Sequence, residues 1–244
     1  IPTVNASVIN PLTPVGAPRA DERSRYVRLI NYIKSKGMTV GLRPIILLER
    51  SSGMAGANWH GNVKPADPAA WFDSLRAYLD IYVNIARVAK VEEFTVGAEL
   101  YSMTVGLEDQ WKEQPYGFPR EWALVIRDIK AKLGASTRVM YDINYTDQTA
   151  NDDGTGASGG ELERWRYRLV DLKPDPSKPK TMEERNVKAW NQIKDLWLEL
   201  DMVGVDMYRS LLARGEQAPA DYNALVYVLA DRKSTRLNSS HTAT

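Results

Sequence analysis

The chain has 244 residues, 43% of them hydrophobic and 26% charged, a composition typical of a globular domain with a sizeable core. The formal net charge of +1 argues against a nucleic-acid or anionic-membrane partner, and the absence of cysteine excludes disulfides, thiol catalysis and zinc–cysteine sites. No apolar run has the length of a membrane span and no signal peptide is visible. Because the chain begins at Ile1 rather than Met, the compartment stays open, with a secreted or periplasmic location among the options.

Strand and helix patterns alternate along the chain. Runs rich in β-branched and apolar residues predict five strands, at Thr3–Ile9, Thr39–Leu48, Phe94–Tyr101, Arg138–Tyr145 and Leu200–Tyr208. Helical spacing of apolar residues predicts helices from Asp21 to Gly37, over Trp71–Val88 after Asp67-Pro68, over Arg120–Leu133, over Glu183–Glu199, and from Asp221 onward. Gly- and Pro-rich composition predicts loops at Ser51–Val63, Met103–Pro119 and Asn151–Gly160, and an insertion at Asp171–Lys180.

This alternation predicts an α/β protein with a parallel sheet and right-handed crossovers. No strand is followed by a glycine-rich nucleotide-binding motif, which argues against nucleotide-binding doubly wound folds. A closed (β/α)8 TIM barrel needs about 250 residues, and the elements found here fall short of that. The prediction is an incomplete (β/α)8 barrel with about strands two to six, the first and the last two strands being missing.

The stretch Phe94–Tyr101 is the predicted centre of the chemistry. Its apolar and polar residues alternate as in a half-buried strand, and Glu99 lies near the strand's carboxyl end. Barrel enzymes keep catalytic groups at that end of their strands. The alternative is that Glu99 only caps the following helix.

The last residues of the chain have a different character. Residues 231–241 resemble the translation of a common sequencing adapter, and we therefore expect residues 231–244 to be a non-native tail. The predicted domain is then 1–230, a partial barrel, and the expectation is that the gene continued beyond Ala230.

Several motifs resemble glycoside hydrolase family 113, a family of mostly endo-β-mannanases in clan A of the glycoside hydrolases. Val96-Gly-Ala-Glu-Leu100 is similar to the family's Gly-(Thr/Ala)-Glu-Leu segment, and Gly41-Leu-Arg-Pro44 to its Leu-Lys-Pro. Further similarities, in the family's order, are Trp59-His-Gly61, Met140–Tyr145 and Leu200–Tyr208. Arg43 and Ala98 depart from the usual residues.

The resemblance implies a retaining glycosidase acting on a β-linked, β-mannan-like oligo- or polysaccharide. Such enzymes use two carboxyl groups, one as acid/base and one as nucleophile. Glu99 matches the family's acid/base, and its nucleophile is a Glu ending strand seven, which we expect beyond the point where the adapter-like tail begins. The chain as printed is therefore expected to be an inactive fragment of the enzyme.

Other residues receive binding roles from the same resemblance or from their chemistry. Tyr208 matches a tyrosine that lies near the nucleophile in the family, and a role in the structural core is an equal alternative. Asn144 and Tyr145 could hydrogen-bond and stack a sugar, Trp59 could form a stacking platform, and His60 could contact sugar hydroxyls. No metal-ligand spacing and no cofactor motif is present, and the oligomeric state is left open. Two alternatives remain: a non-catalytic glycan-binding barrel, and a related cell-wall or phage-associated barrel with another substrate.

Overall fold

The computed structural model describes residues 20–46, 60–106, 111–146, 160–175, 177 and 183–208. Within these ranges the predicted helices and strands occur in the predicted order, together with two α-helices that were not predicted, Tyr101–Thr104 and Gly160–Arg166. The prediction of a long strand over Thr39–Leu48 is wrong for its described part, which is a strand only at Gly41–Leu42. The helices are α1 (Ala20–Ser35), α2 (Pro68–Ala89), α3 (Tyr101–Thr104), α4 (Pro119–Leu133), α5 (Gly160–Arg166) and α6 (Glu183–Glu199). The strands are β1 (Gly41–Leu42), β2 (Glu93–Ala98), β3 (Arg138–Thr146) and β4 (Met202–Tyr208).

Local signals set the helix ends. Asp67 caps α2 by accepting a hydrogen bond from the backbone N–H of Ala70, and Pro68 occupies the first turn, where its missing N–H costs nothing. Gly134 follows the last residue of α4 with a positive φ, as predicted. Four predicted helices are therefore confirmed to within a few residues. The predicted strand Thr3–Ile9 and the helix from Asp221 lie outside the described residues.

The described strands form one sheet in the order β1-β2-β3-β4. β1 pairs with β2 and β2 with β3 in parallel register. Helices α1, α2, α4 and α6 contact one another in the same chain order, so they form one continuous layer. Strand order that follows chain order, with neighbouring crossover helices, is the arrangement of consecutive repeats in a (β/α)8 barrel. The α/β class is confirmed, and the described part is consistent with a partial barrel.

The core lies between the sheet and this helical layer, and aromatic rings dominate its centre. Trp122 of α4 makes edge-to-face contacts with Trp71 and Phe72 of α2 and with Tyr141 of β3. Its indole N–H donates to the backbone carbonyl of Met103 at 2.9 Å. Of the tryptophans predicted to be core residues, Trp71 is buried, Trp190 is half-buried and Trp197 is 39% exposed.

Strand β2 contains an irregularity that regular alternation did not predict. From Thr95 to Ala98 β2 advances three residues, while its partners on β3, Met140 and Asp142, are two apart. One extra residue in one strand is the definition of a β-bulge. The bulge contains Gly97, where a Cβ would come within 2.9 Å of the Trp122 ring. Strict two-residue alternation therefore fails just before Glu99.

Two compact units divide the chain, Ile1–Met207 and Tyr208–Thr244. The described elements up to Met207 belong to the first unit, and Tyr208 is the one described residue of the second. The predicted boundary at residue 230 stays a prediction. None of the described helices is long and apolar enough to cross a membrane.

Candidate active site

Glu99 follows the last residue of β2, at the carboxyl end of the sheet. Its side chain is only 5% exposed, and its backbone φ of 54° is unusual for a residue with a side chain. Its N–H donates to the carbonyl oxygen of Asp142 on β3 at 2.9 Å. Helix α3 begins after Leu100, so Leu100 and not Glu99 occupies its N-cap position.

Charged side chains from the neighbouring strands converge on this end of the sheet. Arg43, just after β1, forms an ion pair with Asp142 on β3, with Nε and Oδ2 3.0 Å apart. The same guanidinium donates to both carboxylate oxygens of Asp206 on β4, the Nη1–Oδ1 distance being 3.0 Å. A two-pronged Arg–carboxylate pair of this kind is both strong and geometrically specific. One arginine therefore joins carboxylates from two strands beside Glu99.

The pKa values in this cluster follow from burial and mutual charge. Burial raises the pKa of Asp142 to about 6; Arg43 opposes the shift, whereas the charges of Asp206 and Glu99 add to it. Partial burial alone would lower the pKa of Arg43, but its hydrogen bond with Asp206 and the charges of Asp142, Asp206 and Glu99 raise it. The electrostatic effect of Glu99 on both residues shows that it belongs to the cluster.

The structure places His60, one of the predicted binding residues, next to Glu99. It begins a short 3₁₀ helix, His60–Asn62, and its Nε2 lies 3.8 Å from Oε2 of Glu99. Burial lowers the pKa of His60, Arg43 lowers it further, and a hydrogen bond with the carbonyl of Ala98 partly offsets this. A neutral imidazole beside the carboxyl group is a hydrogen-bonding neighbour rather than a counter-ion.

The other predicted site residues have different surroundings. Asn144 lies on β3, two residues beyond Asp142, and its Oδ1 accepts hydrogen bonds from the Tyr101 hydroxyl at 3.0 Å and the Glu161 N–H at 2.9 Å. The amide oxygen of Asn144 therefore holds α3 and α5, and its NH₂ group is what remains for a ligand. Tyr145 follows it and is half-buried. Tyr208 ends β4, and Trp59 lies outside the described residues.

Sequence reasoning missed two members of this region. Glu161, at the start of α5, has a fully buried side chain whose Oε1 accepts from Thr104, Tyr141 and Trp165. Arg43 was noted only as a departure from a family motif, although its charge between two apolar segments was a usable signal. No group of three or more His, Asp or Glu in the described ranges has the arrangement of a metal site.

The solved structures that resemble this chain include three of family 113 mannanases. A β-1,4-mannanase described as a complex is 16% identical and covers 84% of this chain and 73% of its own, with a TM-score of 0.45. Another β-1,4-mannanase is 16% identical and covers 77% of this chain and 69% of its own, with a TM-score of 0.39. A β-mannanase from Alicyclobacillus acidocaldarius is 14% identical and covers 87% of this chain and 78% of its own, with a TM-score of 0.41. A comparison with curated proteins finds no match.

The family comparison covers the part of the chain that contains Glu99. The class that it indicates is glycoside hydrolase. Within that class, residues 20–115 match the model of Glycoside Hydrolase Family 113. The resemblance inferred from the motifs around Arg43, His60 and Glu99 is thereby confirmed for this segment. The motifs on β3 and β4 lie beyond the matched residues.

Proposed function

We propose that the protein is a retaining glycoside hydrolase of the family 113 type that acts on a β-linked, mannan-like polysaccharide, with Glu99 as general acid/base. The observation that carries the proposal is that Glu99 lies inside the matched segment, at the carboxyl end of a parallel strand and almost fully buried. The mannan-like substrate rests on the resemblance of the motifs to family 113, a family of mostly endo-β-mannanases, and on the segment that matches the model of this family.

The proposed mechanism begins with Glu99 donating a proton to the glycosidic oxygen as the bond to the leaving sugar breaks. In the second step its carboxylate takes a proton from the water that releases the glycosyl–enzyme intermediate. A group in this role needs surroundings that stabilise its protonated form without removing it from contact with substrate. Glu99 is almost fully buried and has His60, Arg43 and Asp142 as its ionisable neighbours.

The nucleophile is a second carboxyl group, which the described residues do not supply in this proposal. Asp142 and Asp206 are the carboxylates on the strands beside Glu99, and both are engaged by Arg43. Neither of them matches the nucleophile of the resembled family, which is a Glu that ends strand seven. We assign these two residues to the electrostatics of the site. Trp59, His60, Asn144, Tyr145 and Tyr208 are proposed substrate-binding residues.

The test is Glu99→Gln in the intact protein, assayed on β-1,4-mannan and on an aryl glycoside with an activated leaving group. We expect turnover of mannan to fall by about two to four orders of magnitude, because proton donation to a poor leaving group is lost. Cleavage of the aryl bond, which needs little proton donation, should lose much less in the glycosylation step.

The matched control is Glu93→Gln, at the opposite end of β2, where Glu93 pairs with Arg138 on the surface. This variant should retain activity on both substrates. Near-native activity of Glu99→Gln on mannan would remove Glu99 from the mechanism. Mannan oligosaccharide binding without hydrolysis by the wild-type protein would favour the glycan-binding alternative.

A further inference from the structure

A second buried carboxyl group, that of Glu161 on α5, lies against α3 and β3. The side chain of Glu161 is 0% exposed. Its Oε1 accepts hydrogen bonds from the Thr104 hydroxyl at 2.9 Å, the Tyr141 hydroxyl at 2.9 Å and the Trp165 indole N–H at 3.2 Å. Burying a carboxyl group is costly, and three converging donors are the arrangement that offsets the cost. The position is therefore built around an acceptor oxygen.

One branch of this network reaches the backbone of the proposed acid/base. The Leu100 N–H donates to the Tyr141 hydroxyl at 2.7 Å, and that hydroxyl donates onward to Glu161. Leu100 directly follows Glu99, whose φ of 54° lies in the left-handed region. A residue with a side chain persists there only where its surroundings hold it. The acceptor at Glu161 orients the Tyr141 hydroxyl so that its oxygen can hold this turn.

A second branch holds the short helix that begins after Leu100. Thr104, the last residue of α3, donates to Glu161. The Glu161 N–H and the Tyr101 hydroxyl share Oδ1 of Asn144 as acceptor. Both ends of α3 are therefore tied to the start of α5, one through the Glu161 side chain and one through its backbone.

We propose that Glu161 is a positioning residue that holds the segment from Glu99 to Thr104 in the geometry required for acid/base catalysis. This proposal rests on the proposed role of Glu99. Glu161 acts through Tyr141 and Thr104 and does not touch the substrate. The matched family segment ends at residue 115, so the assignment comes from the contacts of α5 alone.

The environment of Glu161 fits an acceptor rather than a fixed charge. Burial raises the pKa of this carboxyl group to about 7, while its three side-chain donors and a backbone hydrogen bond with Asn144 oppose the shift. Its other oxygen, Oε2, has no hydrogen-bond partner among the described residues. Glutamine can present the same acceptor and place its amide nitrogen where Oε2 lies, so Glu161→Gln is the conservative variant.

The first test measures amide hydrogen exchange in the 244-residue chain and needs no enzymatic activity. In Glu161→Ala we expect exchange over residues 99–105 to accelerate about tenfold or more, because buried donors lose their acceptor. In Glu161→Gln it should stay within about threefold of wild type. Ile193→Ala, a fully buried change on α6, is the control for general loss of stability.

The exchange result decides the proposal by itself. Acceleration specific to residues 99–105 in Glu161→Ala, absent from both Glu161→Gln and Ile193→Ala, supports it. Equal acceleration in Glu161→Ala and Ile193→Ala would overturn it, and so would equal acceleration in the alanine and glutamine variants. Absence of hydrolytic activity in the intact protein, as distinct from the 244-residue chain, would refute the proposed function and leave this readout unaffected.

The second test is kinetic and uses the intact protein well below its unfolding temperature. Glu161→Ala should lower kcat on mannan by about tenfold to a hundredfold with KM nearly unchanged, since a displaced acid/base affects the transition state more than ground-state binding. Glu161→Gln should restore most of the lost kcat, and Ile193→Ala should keep kcat near wild type. A rise in KM with kcat unchanged would contradict a positioning role. Failure of Glu161→Gln to restore kcat would contradict it as well.

Discussion

At the scale of single residues, burial and neighbouring charge act together at the end of the sheet. Asp142 keeps a proton more tightly than an exposed aspartate because its desolvation outweighs the attraction of Arg43. His60 loses its proton more readily for the same reason of burial. The result is a site in which Arg43, His60 and Asp142 lie close to Glu99. Neighbouring groups of both charge signs suit a carboxyl group that is proposed to act as both acid and base.

The pKa of Glu161 predicts how stability depends on pH. Its value rises from 4.5 to about 7 on folding, so the folded protein binds this proton more tightly than the unfolded chain. The stabilisation is complete below about pH 4.5 and is lost as pH rises to about 7. The expected fall in the free energy of unfolding is roughly 3 kcal/mol. Urea unfolding between pH 4 and pH 8 measures it.

Glu161→Gln should remove most of this dependence. Asp142, whose pKa rises in the same direction, leaves a smaller slope below about pH 6. The control Ile193→Ala should lower stability at every pH without changing the slope. A glutamine variant with the wild-type slope would show that Glu161 does not take up a proton in this range.

At the scale of elements, α5 and the π-helical turn Tyr167–Asp171 that follows it contact α3 and the residue after it. Helix α5 packs against β3. In the turn, the buried Arg168 donates to the carbonyl oxygens of Val105 at 2.6 Å and of Ala189 on α6 at 3.3 Å. Arg168 therefore connects the segment after α3 with α6. A π-turn inside a helix carries a conformational cost, and it occurs often near functional sites.

The start of α5 should be sensitive to one methyl group. Gly160 has a φ of 61°, and a Cβ there would overlap Oδ1 of Asn144. Gly37, after α1, has a φ of 79° with open space around it. Gly37→Ala therefore costs only the backbone strain of a positive φ and causes no steric overlap. We expect Gly160→Ala to lower the free energy of unfolding by about 1–3 kcal/mol more than Gly37→Ala in urea unfolding. Equal losses would mean that α5 and Asn144 separate without cost.

At the scale of the whole molecule, one aromatic cluster joins the helical layer to the sheet. Trp122 contacts aromatic rings on α2 and β3. Its indole N–H also donates a hydrogen bond to the carbonyl of Met103 in α3, the helix that follows β2. Its ring also lies against Gly97 in the bulge. The same side chain therefore supports the core and the strand that presents Glu99.

Truncating this side chain should destabilise the protein severely. Trp122→Ala removes a fully buried ring and one hydrogen bond, and we expect a loss of roughly 3–5 kcal/mol in the free energy of unfolding. Trp197→Ala is the control, because Trp197 is 39% exposed and its ring contacts that of Trp165. That variant should lose about 1–2 kcal/mol. Comparable losses would place the centre of the core elsewhere.

Local patterns in the sequence determined the four long helices α1, α2, α4 and α6 and the position of Glu99 at the end of a strand, but they did not reveal α3 or α5. Helical spacing with Asp67 at one end of α2 and Gly134 at the end of α4 defined those helices, because caps and periodicity act between near neighbours. The same is true of Glu99 at the end of a strand. The family resemblance added the class of chemistry, and the matched segment confirmed it.

Tertiary structure alone decided which side chains surround Glu99. Arg43 and Asp206 are 163 positions apart in the chain, and their pairing exists only once β1 and β4 lie in one sheet. The bulge at Gly97 depends on the packing of Trp122 from α4, and the acceptor at Glu161 depends on donors from α3 and β3. Hydrogen bonds and burial between distant segments leave no periodic signal, because each partner is chosen by the fold and not by its neighbours in sequence.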